Sequence, residues 1–223
     1  MSTGTLNSIT KQRLLLGEGV DEKNFFEGLL RHLERDDIQV CEFGGKTKLE
    51  SFLKTLTTLP GFSNVISIGI TRDADYLPRA KSRQSTAAKA AFEGIKSALK
   101  KAGLPFPKKY ASPVTGDLEG RQIQINAFVF PDGRDSGMLE DLCLKSIEDD
   151  PARACLNDFF DCVSNRAGRK PALKDDAKAR VHAWLSTQPN PDLRLGQASL
   201  QEPSVWDWKD SAFEPLKCFI QSL

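Results

Sequence analysis

Residues 13–26 read RLLLGEGVDEKNFF. Leu14, Leu15 and Leu16 form a short apolar strand. A turn follows, with Glu18 between Gly17 and Gly19, and then an amphipathic helix opens at Asp21 and Glu22. In an open α/β sheet, ligands bind at the carboxyl ends of the strands. An acid at such an end, flanked by glycines that let the backbone approach closely, is a candidate metal ligand. Asp21 has a second reading, as a cap on the helix N-terminus.

Working outward, the pattern repeats. The strand spans residues 12–17 and the helix 21–35, where Phe25, Phe26, Leu29, Leu30 and Leu33 recur at three- and four-residue spacing. Residues 38–43 read as a second strand, closed by Gly44-Gly45. A second helix is expected over 46–59, stopped by Pro60-Gly61. Residues 64–71, NVISIGIT, are apolar on both faces, the mark of a strand covered by helices on both sides. This strand–helix–strand–helix–strand alternation predicts a mainly parallel, Rossmann-like α/β sheet. A polar loop, RDADYLPRAKSR, leads to a helix over about 84–101. Residues 113–130 read as a hairpin: a strand at 113–115, a turn at 117–120 and a strand at 122–130. The alternation of that last strand predicts a less buried, antiparallel position near an edge. Helices are expected from Met138 and over 151–164 and 171–187. Beyond Pro189-Asn190-Pro191 the chain reads as irregular, with Trp206, Trp208 and Phe213 packing it onto the core.

Bulk properties narrow the classes. The chain has 223 residues and a net charge of +1. It suits one continuous domain over 1–223, with a core that needs no staples. No apolar run is long enough to cross a bilayer, and the N-terminus has no signal-peptide pattern. The five cysteines, Cys41, Cys143, Cys155, Cys162 and Cys218, are scattered and odd in number. They read as reduced thiols of a cytoplasmic protein rather than a disulfide framework. Only His32 and His182 could join them in a zinc site, which is thereby disfavoured.

Asp73 and Asp75 follow the third strand. Two residues apart in extended chain, they are expected to point to one side. If strands one and three are neighbours, Glu18, Asp73 and Asp75 converge, and a divalent cation relieves their repulsion. Glu22, one turn beyond Glu18, faces the same point. Taken singly, each acid is also an ordinary turn or cap residue.

The order strand–Glu18-Gly19-x-Asp21-Glu22–helix, then strand–x-Asp73-x-Asp75, resembles the TOPRIM domain. That domain is the catalytic module of type IA and II topoisomerases, bacterial primases, small RNases and the OLD-family (overcoming lysogenization defect) nucleases. Glu18, Asp73 and Asp75 match its invariant acids, and Glu22 matches a second acid of the OLD type. Gly137-Met138-Leu139-Glu140-Asp141-Leu142, after a Phe-Pro-Asp loop, is similar to a stand-alone, OLD-related family of bacterial proteins. So is the ending from Leu195-Gly196 through Trp206-Asp207-Trp208 to Phe219. The TOPRIM-like core covers about 11–145, and a helical extension about 146–223. This chain departs from the pattern in having Gly17 before the glutamate. It also has no G-x-x-x-x-G-K-[ST] run, so any ATPase would be a separate partner.

The resemblance implies a nuclease using Mg²⁺ or Mn²⁺, held by Glu18, Glu22, Asp73 and Asp75. A second ion would draw on Glu22 with Asp132, Glu140 or Asp141; Glu140 is preferred at a helix start, where it reads equally as an acid favoured by the dipole. A late lysine supplies positive charge to the transition state; Lys174 and Lys178 are the candidates, with Lys178 preferred. Arg72, Arg79, Lys81 and Arg83 flank the D-x-D loop and can grip a nucleic-acid backbone, DNA in preference to RNA. They read equally as a solvated face. No tyrosine matches a topoisomerase nucleophile. The nuclease reading fits a role in defence or repair. Two further readings stay open: a non-catalytic nucleic-acid-binding or regulatory subunit of a partner, for example a separate ATPase, and an enzyme acting on a phosphorylated small molecule. A homodimer is also left open.

Overall fold

In the computed structural model the described residues are 6–76, 86–133 and 136–223. Five strands form one sheet in the order β2-β1-β3-β5-β4. They are β1 (Arg13–Gly17), β2 (Ile38–Glu42), β3 (Ser67–Asp73), β4 (Val114–Leu118) and β5 (Arg121–Phe130). The helices are α1 (Val20–His32), α2 (Leu49–Leu56), α3 (Ala87–Lys101), α4 (Leu139–Ser146), α5 (Ala152–Ala167), α6 (Leu173–Leu185), α7 (Leu195–Ser199) and α8 (Glu214–Gln221). β1 pairs in parallel with both β2 and β3, and β3 pairs in parallel with β5. β4 pairs with β5 antiparallel, at the edge of the sheet. The mainly parallel α/β sheet expected from the alternation of strands and helices is therefore present.

The period of two along each strand divides the core. Leu14, Leu16, Ile68, Ile70, Ala127 and Val129 face α2 and α3. Leu15, Phe128 and Phe130 face the other way, into a layer built from α1, α4, α6, α7 and α8. Burial on both faces is what the unbroken apolar runs of β1 and β3 require.

Three expectations are corrected. β5 is not a less buried strand near the edge: it lies inside the sheet, parallel to β3, and β4 takes the edge. Alternation holds only to Gln124; residues 125–130 are all buried. The second helix is shorter than 46–59, and residues 46–48 are a turn. The C-terminal region is not irregular throughout. α7 lies on α1, and α8 covers the sheet: a methyl added at Gly69 in β3 would come within 2.7 Å of Leu223. Trp206 and Trp208 are buried there, as expected, and the Trp206 indole donates to Ser199 Oγ at 2.8 Å.

Candidate metal and phosphodiester site

The parallel strands β1, β2, β3 and β5 end at one edge, at Gly17, Glu42, Asp73 and Phe130. The segments that follow them build the site. Glu18 leaves β1 into a cradle made by the segment after β2. The Gly44 and Gly45 N–H groups donate to the Glu18 carbonyl at 3.0 and 2.9 Å, and the Lys46 N–H donates to Glu18 Oε1 at 3.0 Å. Both glycines have positive φ, 79° and 108°, so this turn is built on conformations that side chains resist.

Glu22 occupies the first turn of α1 and reaches back to accept the Gly19 N–H at 2.9 Å. Gly17 admits it: a Cβ there would lie 3.0 Å from Glu22 Cβ and 3.4 Å from the Phe26 ring. The glycine that departs from the family pattern thus lets α1 press against the end of β1.

Asp73 is the last residue of β3, and its Oδ1 accepts the Leu139 N–H at the start of α4, 3.0 Å away. The segment behind it is stapled to the same helix. Asp75 and Gly137 exchange backbone hydrogen bonds at 3.0 and 3.1 Å. The Tyr76 hydroxyl donates to Asp141 Oδ1 at 2.7 Å, and Asp141 Oδ2 accepts the Met138 N–H at 2.8 Å. These bonds set Glu140 opposite Asp73. They also commit Asp141 to capping and tie up the Tyr76 hydroxyl, whose pKa burial and Asp141 push up.

The carboxylates feel one another. Burial, then Glu18 and Glu140, raise Glu22 to about 7. Burial, then Glu22, Glu140 and Glu18, hold Asp73 well above the carboxylate range. Burial raises Glu18, against the Lys46 N–H and the attraction of Arg72, and with a contribution from Asp75. Lys178 on α6 lies 3.5 Å from Glu140, and it is held charged by Glu140 first and by Asp73 and Glu22 beyond it. Glu18, Glu22, Asp73, Glu140 and Lys178 therefore share one locus.

The remaining candidates are placed differently. Asp75 does not point with Asp73: it adopts a left-handed φ of 61°, and its carboxylate pairs with Lys46 Nζ at 3.0 Å on the rim. Arg72 does not reach outward as a backbone grip. Its guanidinium lies against Gly94 of α3, where a Cβ would collide with it, and its Nε is buried without a hydrogen-bond partner among the described residues. Arg79, Lys81 and Arg83 lie outside the described residues. Lys174 is exposed near the start of α6, and Asp132 sits in the turn after β5. Lys46 was not legible as a site residue. The signal available was its place directly after a Gly-Gly pair at a strand end.

Among the described residues, no three acidic, histidine or cysteine side chains are already disposed around one point as ligands. The donor chemistry nonetheless fits a hard divalent cation, which takes oxygens from one or two carboxylates and completes its shell with water or phosphate. Glu18, Glu22 and Asp73 each have one oxygen engaged by a backbone N–H, which fixes the carboxylate and leaves its second oxygen available.

Fold and site together define a doubly covered, mainly parallel α/β protein with an acidic cluster at the carboxyl edge of its sheet. The chain belongs to the family described as "Protein of unknown function (DUF3226)", whose model matches residues 12–223. Among solved structures, hypothetical protein PH0156 from Pyrococcus horikoshii OT3 is similar over 96% of this chain and 95% of its own, at 15% identity and a TM-score of 0.56. The C-terminal region of the Burkholderia pseudomallei OLD protein aligns over 96% of this chain and 99% of its own, at 13% identity and a TM-score of 0.45. That of the Xanthomonas campestris pv. campestris OLD protein aligns over 96% and 97%, at 16% and 0.39. No curated protein matches the chain.

Proposed function

We propose that this chain is a TOPRIM-type phosphodiesterase that cleaves nucleic acid, DNA in preference to RNA, with the help of Mg²⁺ or Mn²⁺. The observation that carries the reading is the gathering of Glu18, Glu22, Asp73 and Glu140 from three stretches of the chain: burial raises Glu18, Glu22 and Asp73, and the neighbouring carboxylates raise Glu22 and Asp73 further. Such crowding costs stability unless positive charge offsets it. The order of these acids along the chain, with its TOPRIM resemblance, supports the same reading.

Glu18, Glu22 and Asp73 would hold the cation, with Glu140 completing the set and Asp75 entering from the rim. A bound divalent ion polarises a phosphoryl oxygen and lowers the pKa of its bound water. The chain's own residues supply the rest. The Leu139 N–H fixes the Asp73 carboxylate, and the Gly19 N–H fixes that of Glu22. Lys178 brings a mobile ammonium to the locus, suited to charge that develops on a phosphate. Any nucleotide-hydrolysing ATPase would act as a separate partner.

Supercoiled plasmid incubated with Mn²⁺ and the purified protein tests the reading. We expect nicking by the wild type and its loss in Glu18→Gln and Asp73→Asn, with unchanged circular dichroism. Undiminished nicking by both folded variants would remove the assignment.

One observation favours a second reading, a non-catalytic nucleic-acid-binding or regulatory subunit. Lys46 and Lys178 already offset part of the negative charge, with no ligand shell preformed. Metal-independent DNA binding without cleavage would select it.

A further inference from the structure

Helix α5 keeps only Leu156 fully buried over its sixteen residues. Phe160 turns inward, under the Arg180 guanidinium at 4.7 Å, and Arg180 also reaches Asn157 at 2.9 Å. On the flank of the helix beside it, Cys155, Phe159, Cys162 and Arg166 are all exposed, and the Phe159 ring meets Phe160 edge-on at 5.3 Å between centroids. Their spacing of four, three and four is the seam of a two-helix coiled coil. Phe159 is 54% exposed, and Leu173, just beyond the helix, is 74% exposed. Scattered exposed apolar residues are ordinary, but Phe159 is the aromatic ring among the large exposed hydrophobics of the described residues, and it lies on this seam.

We propose that this face pairs with the same face of a second copy, the two α5 helices running antiparallel across a two-fold axis. Two features identify the occupant. The first is charge. Exposed Glu148 and Asp149 precede the helix, and exposed Arg166, Arg169 and Lys170 close it. An antiparallel copy sets each acidic end against a basic end, twice, and opposes the two helix dipoles. A parallel copy sets like against like. The second is shape. Phe159 lies at the middle of the helix and also forms one wall of a cleft of about 440 Å³ with Phe160, Val163, Arg169, Lys170 and Pro171. One patch thus carries both the projecting ring and the recess, which an isologous interface requires. A single helix pair with this fringe is small for a stable dimer, so association is expected on the order of tens of micromolar.

Sedimentation velocity between about 2 and 200 μM tests the proposal. The wild type is expected to pass from monomer to dimer over that range, and Phe159→Asp to remain monomeric. Two charge variants make the test specific. Glu148→Lys/Asp149→Lys leaves both ends of α5 basic, and Arg169→Glu/Lys170→Glu leaves both acidic. Each should stay monomeric alone, and an equimolar mixture should recover the dimer, since both contacts are then complementary. The changed residues are exposed, so circular dichroism should match the wild type in every case. A wild type that stays monomeric throughout overturns the proposal. So does a dimer indifferent to Phe159→Asp, or a mixture of the charge variants that fails to associate.

Discussion

Burial and the nearby Glu22, Glu140 and Glu18 disfavour the charge of Asp73 against the support of the Leu139 N–H, so the metal-free site keeps protons that an exposed carboxylate would release. The consequence for stability has a definite sign. Glu22 titrates near 7 in the folded chain and near its ordinary value when unfolded. Above that ordinary value the folded state binds more protons, so stability falls as pH rises toward 7 and the Glu22 contribution levels off above it. The loss is bounded at roughly 3 kcal/mol for Glu22. Thermal melts of metal-free protein from pH 5 to 8 should show a falling Tm, and Glu22→Gln should flatten the curve. A Tm that rises over that range would contradict the raised pKa. Lys46 makes a second residue-level test. It pairs with Asp75 on the rim, where both side chains are about half exposed. Its removal should change stability little but free Asp75 for a cation. Lys46→Ala should therefore tighten Mn²⁺ binding by up to about fivefold, the scale of an exposed pair. Calorimetric titration checks it. The placement of Glu18 and Asp73 at neighbouring strand ends was legible because each closes an apolar strand. The orientation of Asp75 was not. Side-chain alternation assumes extended backbone, and that assumption fails at a residue with φ of 61° held by Gly137.

Among the elements, α1 carries the most, since it supplies Glu22 and faces the aromatic layer. Its position depends on α7. A Cβ at Gly28 would collide with the Ser199 carbonyl, and one at Gly196 would come within 2.7 Å of the Asp21 carbonyl. Two glycines, one on each helix, thus bring the backbones together. Neither contact can be relieved by a rotamer change, because backbone meets backbone. Gly28→Ala should cost about 1–3 kcal/mol and lower Tm by several degrees, with Mn²⁺ affinity falling as α1 shifts. An unchanged Tm would show that α7 is not the clamp. These contacts were hidden in the sequence because α7 is only five residues long, too short to display a period. β5 was misplaced for a related reason. Its polar start, Arg121 to Gln124, alternates as an edge strand does, while its end lies between β3 and the helices and is apolar on both faces.

For the molecule as a whole, the parallel order was legible because β1 and β3 are apolar on both faces, and only a doubly covered sheet buries such strands. That order brings four strand ends to one edge and so creates the acidic locus. Glu140 and Lys178 were expected at the site only through the resemblance; the packing that brings α4 against α6 depends on tertiary contacts rather than on local pattern. Glu140 and Lys178 are separated by 38 positions yet lie 3.5 Å apart. Among the described residues, no helix is long and apolar enough to cross a membrane.

The central claim is that this locus holds a divalent cation. A crystal soaked in Mn²⁺ and measured at the manganese absorption edge tests it most directly. The account predicts an anomalous peak bounded by Glu18, Glu22 and Asp73, with Glu140 adjacent, that disappears in Asp73→Asn. Well-ordered carboxylates with no peak between them at millimolar Mn²⁺, or a peak that persists in the variant, would contradict it.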